Sequence, residues 1–238
     1  MSVLAEQIPP LPRLPTEDEL PCDDGVPMET PRHRLQLEIL TRALEPWAAA
    51  RGDVFVSGNQ FVYFSASQLR GRDFRGPDVF VVCGVERRER KSWVVWDEGK
   101  APDVVIELIS ESTADLDKGE KKTVYQDQLR VPEYFWFDPF DAEDRAGFAL
   151  LEGRYVPLSL DAEGCLPVAS LGLRLCLWYG DYMGVDTAWL RWSDQHGLLP
   201  LPEETQRRRA DIAEAELERL RAELAKLRKG TGGSGLES

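Results

Sequence analysis

The stretch PDVVIELIS, residues 102–110, constrains the fold of this chain more than any other. Val104, Val105, Ile106, Leu108 and Ile109 make the apolar run of a buried strand, yet Glu107 stands among them. An ionised carboxylate buried without a partner costs several kcal/mol. The fold must therefore bring positive charge to Glu107, either as a bound cation or as a basic side chain.

Side chains alternate along a strand, so Asp103, Val105, Glu107 and Ile109 share one face of it. An earlier strand, PDVFVVCGV, opens with Asp78 after Pro77. If the two strands are neighbours, Asp78 and Glu107 converge at one edge. Two carboxylates held together repel unless a divalent cation lies between them, and Mg²⁺ or Mn²⁺ suits their hard oxygen donors. The segment STADLDKGEKKTVYQDQL then predicts a helix, capped by Ser112 or Thr113, with Val124 and Leu129 facing inward. Lys121, early on that helix, can reach back to the mouth of the strand. An amine there adds charge stabilisation for a reaction at the site. Lys118 and Lys122 point elsewhere on the helix and are expected in solvent.

Around this centre the chain reads as helix, strands, helix, strand. Residues 1–30 are rich in Pro and acidic residues and predict an extended arm. Thr30-Pro31 starts a helix with Leu35, Ile39, Leu40 and Leu44 on one face. DVFVSGNQFVYFS alternates around Gly58-Asn59 as a hairpin would, and KSWVVWDE and PEYFWFD read as strands. Further antiparallel strands follow residue 145. The globular domain is expected over residues 31–200. Residues 230–238, GTGGSGLES, have the composition of a flexible tail.

Residues 203–229 differ. Ala210, Ala213, Leu217, Leu220, Leu224 and Leu227 recur at alternating spacings of three and four, a heptad seam. With Leu217 and Leu224 at a, Glu216 and Glu223 fall at g and Arg221 and Arg228 at the following e positions. These charges suit a parallel pair of helices; about three heptads make a marginal coiled coil alone, so a homodimer that this helix reinforces is the expectation. The alternative is an amphipathic helix lying on its own domain.

The formal net charge of −13 argues against nonspecific nucleic-acid binding by the whole surface. Residues 70–91 are the exception, with seven basic residues against four acidic ones. Arg70, Arg72, Arg75, Arg87, Arg88 and Arg90 are the candidate contacts to a polyanion; two solvated loops would look the same. No apolar run approaches the ~20 residues of a membrane helix, and the first residues lack the layout of a secretory signal. Cys22, Cys83, Cys165 and Cys176 form no CxxC pair. Reduced thiols and a cytoplasmic location are therefore expected.

The run PDVVIELISESTADLDKGEKKTVYQDQLRVPEYFWFD resembles the signature of the Uma-two family of restriction-endonuclease-like proteins, a branch of the PD-(D/E)xK nuclease superfamily. The matching positions include Pro102, Asp103, Glu107, Thr113, Asp117, Gly119, Glu120, Lys121, Tyr125, Glu133 and Asp138, and FRGPDVFVV matches the family's first PD strand. The resemblance spans roughly residues 25–165. It implies an α/β fold with an αβββαβ core around a mixed central sheet, and Mg²⁺- or Mn²⁺-dependent hydrolysis of DNA phosphodiester bonds. Asp78 and Glu107 would be metal ligands, with the Leu108 carbonyl completing the shell. The motif's lysine, two residues after the Glu, is Ile109 here, which makes Lys121 the substitute amine. Asp103, Glu29 and His33 are further candidates; Asp103 after Pro102 also reads as an Asx-turn residue, and a lone His at a helix start is more often a surface residue. Three functions stay open: a DNA endonuclease linked to defence or mobile elements, an inactive nuclease-fold assembly module, and a phosphodiesterase acting on another nucleic acid.

Overall fold

In the computed structural model, the described residues are 13–21, 30–65, 74–110 and 113–231, with side chains described as far as 226. The chain divides into two compact units, Met1–Leu198 and Leu199–Ser238.

Thr30 holds extended backbone and its Oγ1 accepts the His33 amide at 3.3 Å. Helix α1, Pro31–Arg51, therefore starts where the Thr-Pro pair predicts and ends at Gly52, whose positive φ releases the chain. Its buried face comprises His33, Gln36, Ile39, Leu40, Ala43, Leu44 and Ala48. The polar Gln36 is buried because its amide acts as a strand partner. Nε2 donates to the Leu190 carbonyl at 2.8 Å and Oε1 accepts the Leu190 amide at 3.0 Å.

The strands, in chain order, are β1 Val54–Gly58, β2 Val62–Tyr63, β3 Phe74–Arg75, β4 Val79–Cys83, β5 Trp93–Val94 and β6 Val104–Leu108. They continue as β7 Glu133–Asp138, β8 Asp141–Leu151, β9 Arg154–Pro157, β10 Leu166–Val168, β11 Leu173–Tyr182, β12 Val185–Asp194 and β13 Gly197–Leu198. The main sheet has the order β1-β4-β6-β7-β8-β9. It is mixed: β6 and β7 run parallel and its other neighbours antiparallel. Parallel pairing needs a crossover, which the helical run from Ala114 to Leu129 supplies between β6 and β7. The first unit is thus a mixed α/β structure. Its main-sheet elements run helix, β1, β4, β6, helix, β7, with β2, β3 and β5 set aside in a small sheet of order β3-β2-β5. A third, antiparallel sheet has the order β10-β11-β12-β13, and α1 packs on β1 and β12.

The hairpin expected at Gly58-Asn59 does not form. β1 pairs with β4, over twenty residues away, and β2 joins the small sheet. The alternation was local; the partner is not. A Cβ at Gly58 would meet the Asp78 carbonyl oxygen at 3.0 Å, and the Asn59 amide donates to that same oxygen at 3.0 Å. The pair thus clamps the backbone of Asp78. KSWVVWDE also departs from its expectation: after β5 the chain turns into a short helix, α2, Val95–Glu98.

Reduced thiols were expected throughout, yet Cys165 and Cys176 are joined in a disulfide, with Cα atoms 4.4 Å apart. Leu166 pairs with Leu175 across β10 and β11, so the next step of the ladder sets the two cysteines opposite each other. The expectation of a reducing compartment loses its support from these two residues. Cys83 is free and partly buried; Cys22 lies outside the described residues.

The described part of the acidic arm is fastened to the domain. Leu20 is buried beside Phe61, Tyr63 and Val94, Tyr63 Oη donates to the Pro21 carbonyl at 2.6 Å, and Trp96 Nε1 donates to that of Pro15 at 3.0 Å. The second unit is helix α4, Pro202–Thr231, entered where the Leu201 amide donates to Glu204 at 2.8 Å. Among the described residues no helix is long and apolar enough to cross a membrane.

Candidate active site

Register brings the two acids together. Val79 pairs with Ile106 and Phe80 with Val105, so one further step of the antiparallel ladder sets Asp78 opposite Glu107. Asp78 Oδ2 accepts the Leu108 amide at 2.7 Å. Its carbonyl is held by Asn59, so main chain and side chain are both fixed.

Glu107 is fully buried, and the anomaly of its sequence position is met by two donors. Tyr125 Oη donates to Oε1 at 2.7 Å, and Lys121 Nζ donates to Oε2 at 3.2 Å. Lys121 Nζ also stands 2.7 Å from Oδ1 of Asp117, a carboxylate that is itself buried. Tyr134 Oη donates to the Asp117 carbonyl at 2.9 Å and its ring lies 5.3 Å from that of Tyr125.

The helix that carries these groups is not a plain α-helix. We denote by α3 the helical run in which α turns at Ala114–Leu116 and Lys122–Val124 alternate with wider π turns at Asp117–Lys121 and Tyr125–Leu129. An α-helix repeats every 3.6 residues, so residues four apart drift around it. The π turns widen the repeat and keep Asp117, Lys121, Tyr125 and Leu129 turned toward the sheet. Its start differs from expectation: Thr113 takes the cap position without a side-chain bond to the helix. Instead the Ser110 amide donates to Thr113 Oγ1 and the Thr113 amide to Ser110 Oγ, each at 3.2 Å. Ser112 lies outside the described residues.

Glu107 and Asp117 thus share the ammonium of Lys121, with Asp78 opposite Glu107: three carboxylates to one ammonium, a formal deficit of two positive charges. Burial pushes the Glu107 carboxyl well above its ordinary range; Lys121 opposes this, while Asp78 and Asp117 add to it. Burial likewise raises Asp78, against the Leu108 amide and Lys121. Burial disfavours the Lys121 charge, but Glu107 and Asp117 outweigh it and hold its pKa above the ordinary lysine value. Tyr125 is raised as well, by burial and then by Glu107, so its hydroxyl stays a donor.

The donor set can be tested against a divalent cation. Among the described residues no group of three or more His, Cys, Asp and Glu side chains is arranged to hold a metal ion. Two adjacent carboxylates with a net charge deficit nevertheless fit Mg²⁺, which usually takes one or two carboxylates and completes its shell with water and substrate phosphate.

The other sequence candidates are dispersed. Asp103, at the opposite end of β6, binds Lys100 at 2.8 Å and accepts the Cys83 amide at 2.7 Å, which makes it a staple between strands. His33 is buried rather than at the surface. Its Nδ1 contacts Thr30 Oγ1 at 2.8 Å and its Nε2 the Ile109 carbonyl at 3.2 Å, two residues past Glu107. Glu29, Arg70 and Arg72 lie outside the described residues. Lys118 and Lys122 are not simply solvated. Lys118 binds Asp144 at 2.6 Å, and Lys122 Nζ lies 3.3 Å from the centre of the Phe148 ring.

The described arginines of the basic stretch are already neutralised. Arg75 binds Glu120 at 3.0 Å, Arg87 binds Glu45 at 2.8 Å, and Arg88 binds Glu17 at 3.0 Å and Glu98 at 2.5 Å. Arg90 is buried, with Nε 2.6 Å and Nη2 2.9 Å from the two oxygens of Glu98. Arg87, Arg88 and Arg90 therefore offer little net field to a polyanion. Asp117 is the site residue that residue-level reasoning passed over. Its spacing of four from Lys121 was the available signal, since an acid and an amine so placed meet on a helix.

A mixed sheet with an acidic pair on neighbouring strands, faced by a lysine from the crossover helix, defines a mixed α/β protein with a buried acidic cluster. The chain belongs to the Uma2 family, described as "Putative restriction endonuclease", whose model matches residues 9–177. Among solved structures it is similar to a "putative nuclease belonging to DUF820" from Anabaena variabilis, at 14% identity and a TM-score of 0.46, covering 67% of this chain and 91% of that one. No curated protein matches it significantly.

Proposed function

We propose that this chain is a divalent-metal-dependent DNA endonuclease that hydrolyses phosphodiester bonds at Asp78, Glu107 and Lys121. The observation that carries the reading is the enclosed cluster of three carboxylates around one ammonium, short of two positive charges. Membership of a restriction-endonuclease family supports nuclease chemistry, and DNA is the substrate that this family points to.

Asp78 and Glu107 would hold Mg²⁺ or Mn²⁺, with the Leu108 carbonyl as a further donor. The cation, when bound, supplies Lewis acidity at the scissile phosphate and makes an attacking water more acidic. The protein's own part is positional. Tyr125 orients Oε1 of Glu107 and the Leu108 amide orients Oδ2 of Asp78, so neither carboxylate has to reorganise. Asp117 keeps the Lys121 ammonium aimed at the acidic pair, where it can meet negative charge developing on the phosphoryl group. The amine comes from the helix rather than from position 109 because its field depends on where the ammonium sits, not on which element carries it.

Titration calorimetry with Mn²⁺ and Mg²⁺ on wild type and Glu107→Ala, paired with plasmid cleavage, tests this reading. Metal-dependent heat and nicking in the wild type alone are expected. No heat in either protein would remove the enzymatic reading and leave the assembly module. Cleavage of RNA in preference to plasmid would reassign the substrate.

A further inference from the structure

Helix α4 presents apolar side chains that its own unit leaves open. Leu217, Leu220 and Leu224 are 46%, 48% and 56% exposed, and all three lie on the heptad seam. The residues flanking the seam say what can cover it. Arg209, Glu216 and Glu223 occupy successive g positions, and Glu214, Arg221 and Arg228 the e positions that follow them. In a parallel, in-register pair of identical helices, each g residue faces the following e residue of the partner. That meeting joins Arg209 to Glu214, Glu216 to Arg221 and Glu223 to Arg228: three heptads, every pair of opposite sign, on both sides of the seam. An antiparallel pair centred on the leucines would instead set g against g and e against e. With the axis at position 222, Glu223 would then meet Glu223, and Arg221 would meet Arg221. Such like-charge contacts reject the wrong orientation.

We infer that α4 forms a parallel, in-register coiled coil with a second copy of this chain. The contacts are uneven along its length. Ala210 and Ala213 fill the seam near the start and leucines fill it farther on, so the apolar gain is concentrated in the second half of the helix. The charge pairs fix orientation and register more than they add affinity. The inference rests on the helix alone and is independent of the nuclease reading.

The experiment uses the full chain. Sedimentation or light scattering across a dilution series should show a dimer for wild type and a monomer for Leu220→Asp, with the thermal transition of the first unit unchanged. The double variant Glu216→Lys/Glu223→Lys and the double variant Arg221→Glu/Arg228→Glu should each weaken the dimer at low salt by at least tenfold in Kd. Mixing the two should restore it as a heterodimer. Ala210→Cys sets the orientation: a parallel pair brings both copies of position 210 together, and oxidation should give a 210–210 cross-linked peptide by mass spectrometry. A wild type monomeric at every concentration, or a dimer indifferent to Leu220→Asp, would overturn the proposal. A dimer without the 210–210 peptide would overturn its parallel orientation.

Discussion

Lys121 Nζ stands 3.2 Å from Oε2 of Glu107, across fourteen residues of chain and from the helix rather than the strand. If this amine serves the reaction, Lys121→Ala and Glu107→Gln should each lower Mn²⁺-supported plasmid cleavage by at least about 100-fold, the usual scale for losing one preorganised charge. Asp78→Ala should do the same. Unchanged cleavage in Asp78→Ala and Lys121→Ala would place the chemistry elsewhere in the chain.

The same contact also has a structural side. Removing the ammonium leaves Glu107 and Asp117 buried without their partner, and breaking a buried pair costs about 3 kcal/mol or more. Denaturation of Lys121→Ala in EDTA near pH 8 should show a loss of that order, partly recovered by Mn²⁺. A loss under about 0.5 kcal/mol, the range of an ordinary surface change, would mean that the lysine is not neutralising the cluster.

Asp78 and Glu107 hold their protons more tightly in the folded chain, at about 6 and about 8. A carboxyl raised on folding contributes stability that is fully present below its unfolded pKa and is lost as pH rises through the folded value. The metal-free wild type should therefore lose stability relative to Glu107→Gln between about pH 4.5 and pH 8, and Mn²⁺ should reverse that loss at the alkaline end. Denaturant midpoints for both proteins at pH 5, 6.5 and 8 read this directly. Parallel curves would show that Glu107 does not titrate in this window.

Tyr125 gives its hydroxyl proton to Oε1 of Glu107 at 2.7 Å. Tyr125→Phe removes the donor and keeps the ring against Tyr134. It should cost about 1–3 kcal/mol at pH 8 and weaken Mn²⁺ binding roughly tenfold, the lower end for a residue that orients a ligand. Calorimetry at two pH values separates the two effects. A variant with wild-type metal affinity would reduce the tyrosine to packing.

The arginines at 87, 88 and 90 lead to a different expectation now that each has its acid. The triple alanine variant should leave DNA affinity and its salt dependence unchanged and should lower stability, chiefly through Arg90, which is buried on Glu98. A flatter salt slope in a filter-binding or anisotropy titration would return these residues to the polyanion surface.

Much of the fold was legible because its signals are local. The Thr30-Pro31 helix start and the apolar strand through Glu107 follow from capping and period, and so does the presence of a helix after that strand, though not its cap or its π turns. The site was legible in part: Asp78, Glu107 and Lys121 could be singled out, whereas Asp117 could not be ranked above other acids of an acidic chain. Gly58-Asn59 misled because alternation around a turn pair reads as a hairpin whatever strand finally pairs with β1. Cys165 and Cys176 misled because their pairing depends on the β10–β11 ladder, and the basic stretch misled because a count of charges omits the carboxylates that arrive from Glu17, Glu45 and Glu98.

By itself the sequence determined that Glu107 would be buried and would need positive charge, since the run 104–109, apolar at its other five positions, leaves no solvent face for it. It also determined the heptad seam, which depends only on spacing along one helix. Tertiary structure alone decided what answers Glu107. The β4–β6 register sets Asp78 opposite it, the π turns of α3 carry Lys121 and Tyr125 to its two oxygens, and Asp117 holds the lysine in place. Burial is a property of one segment, but neutralisation needs atoms from three, and their meeting depends on strand register and helix repeat.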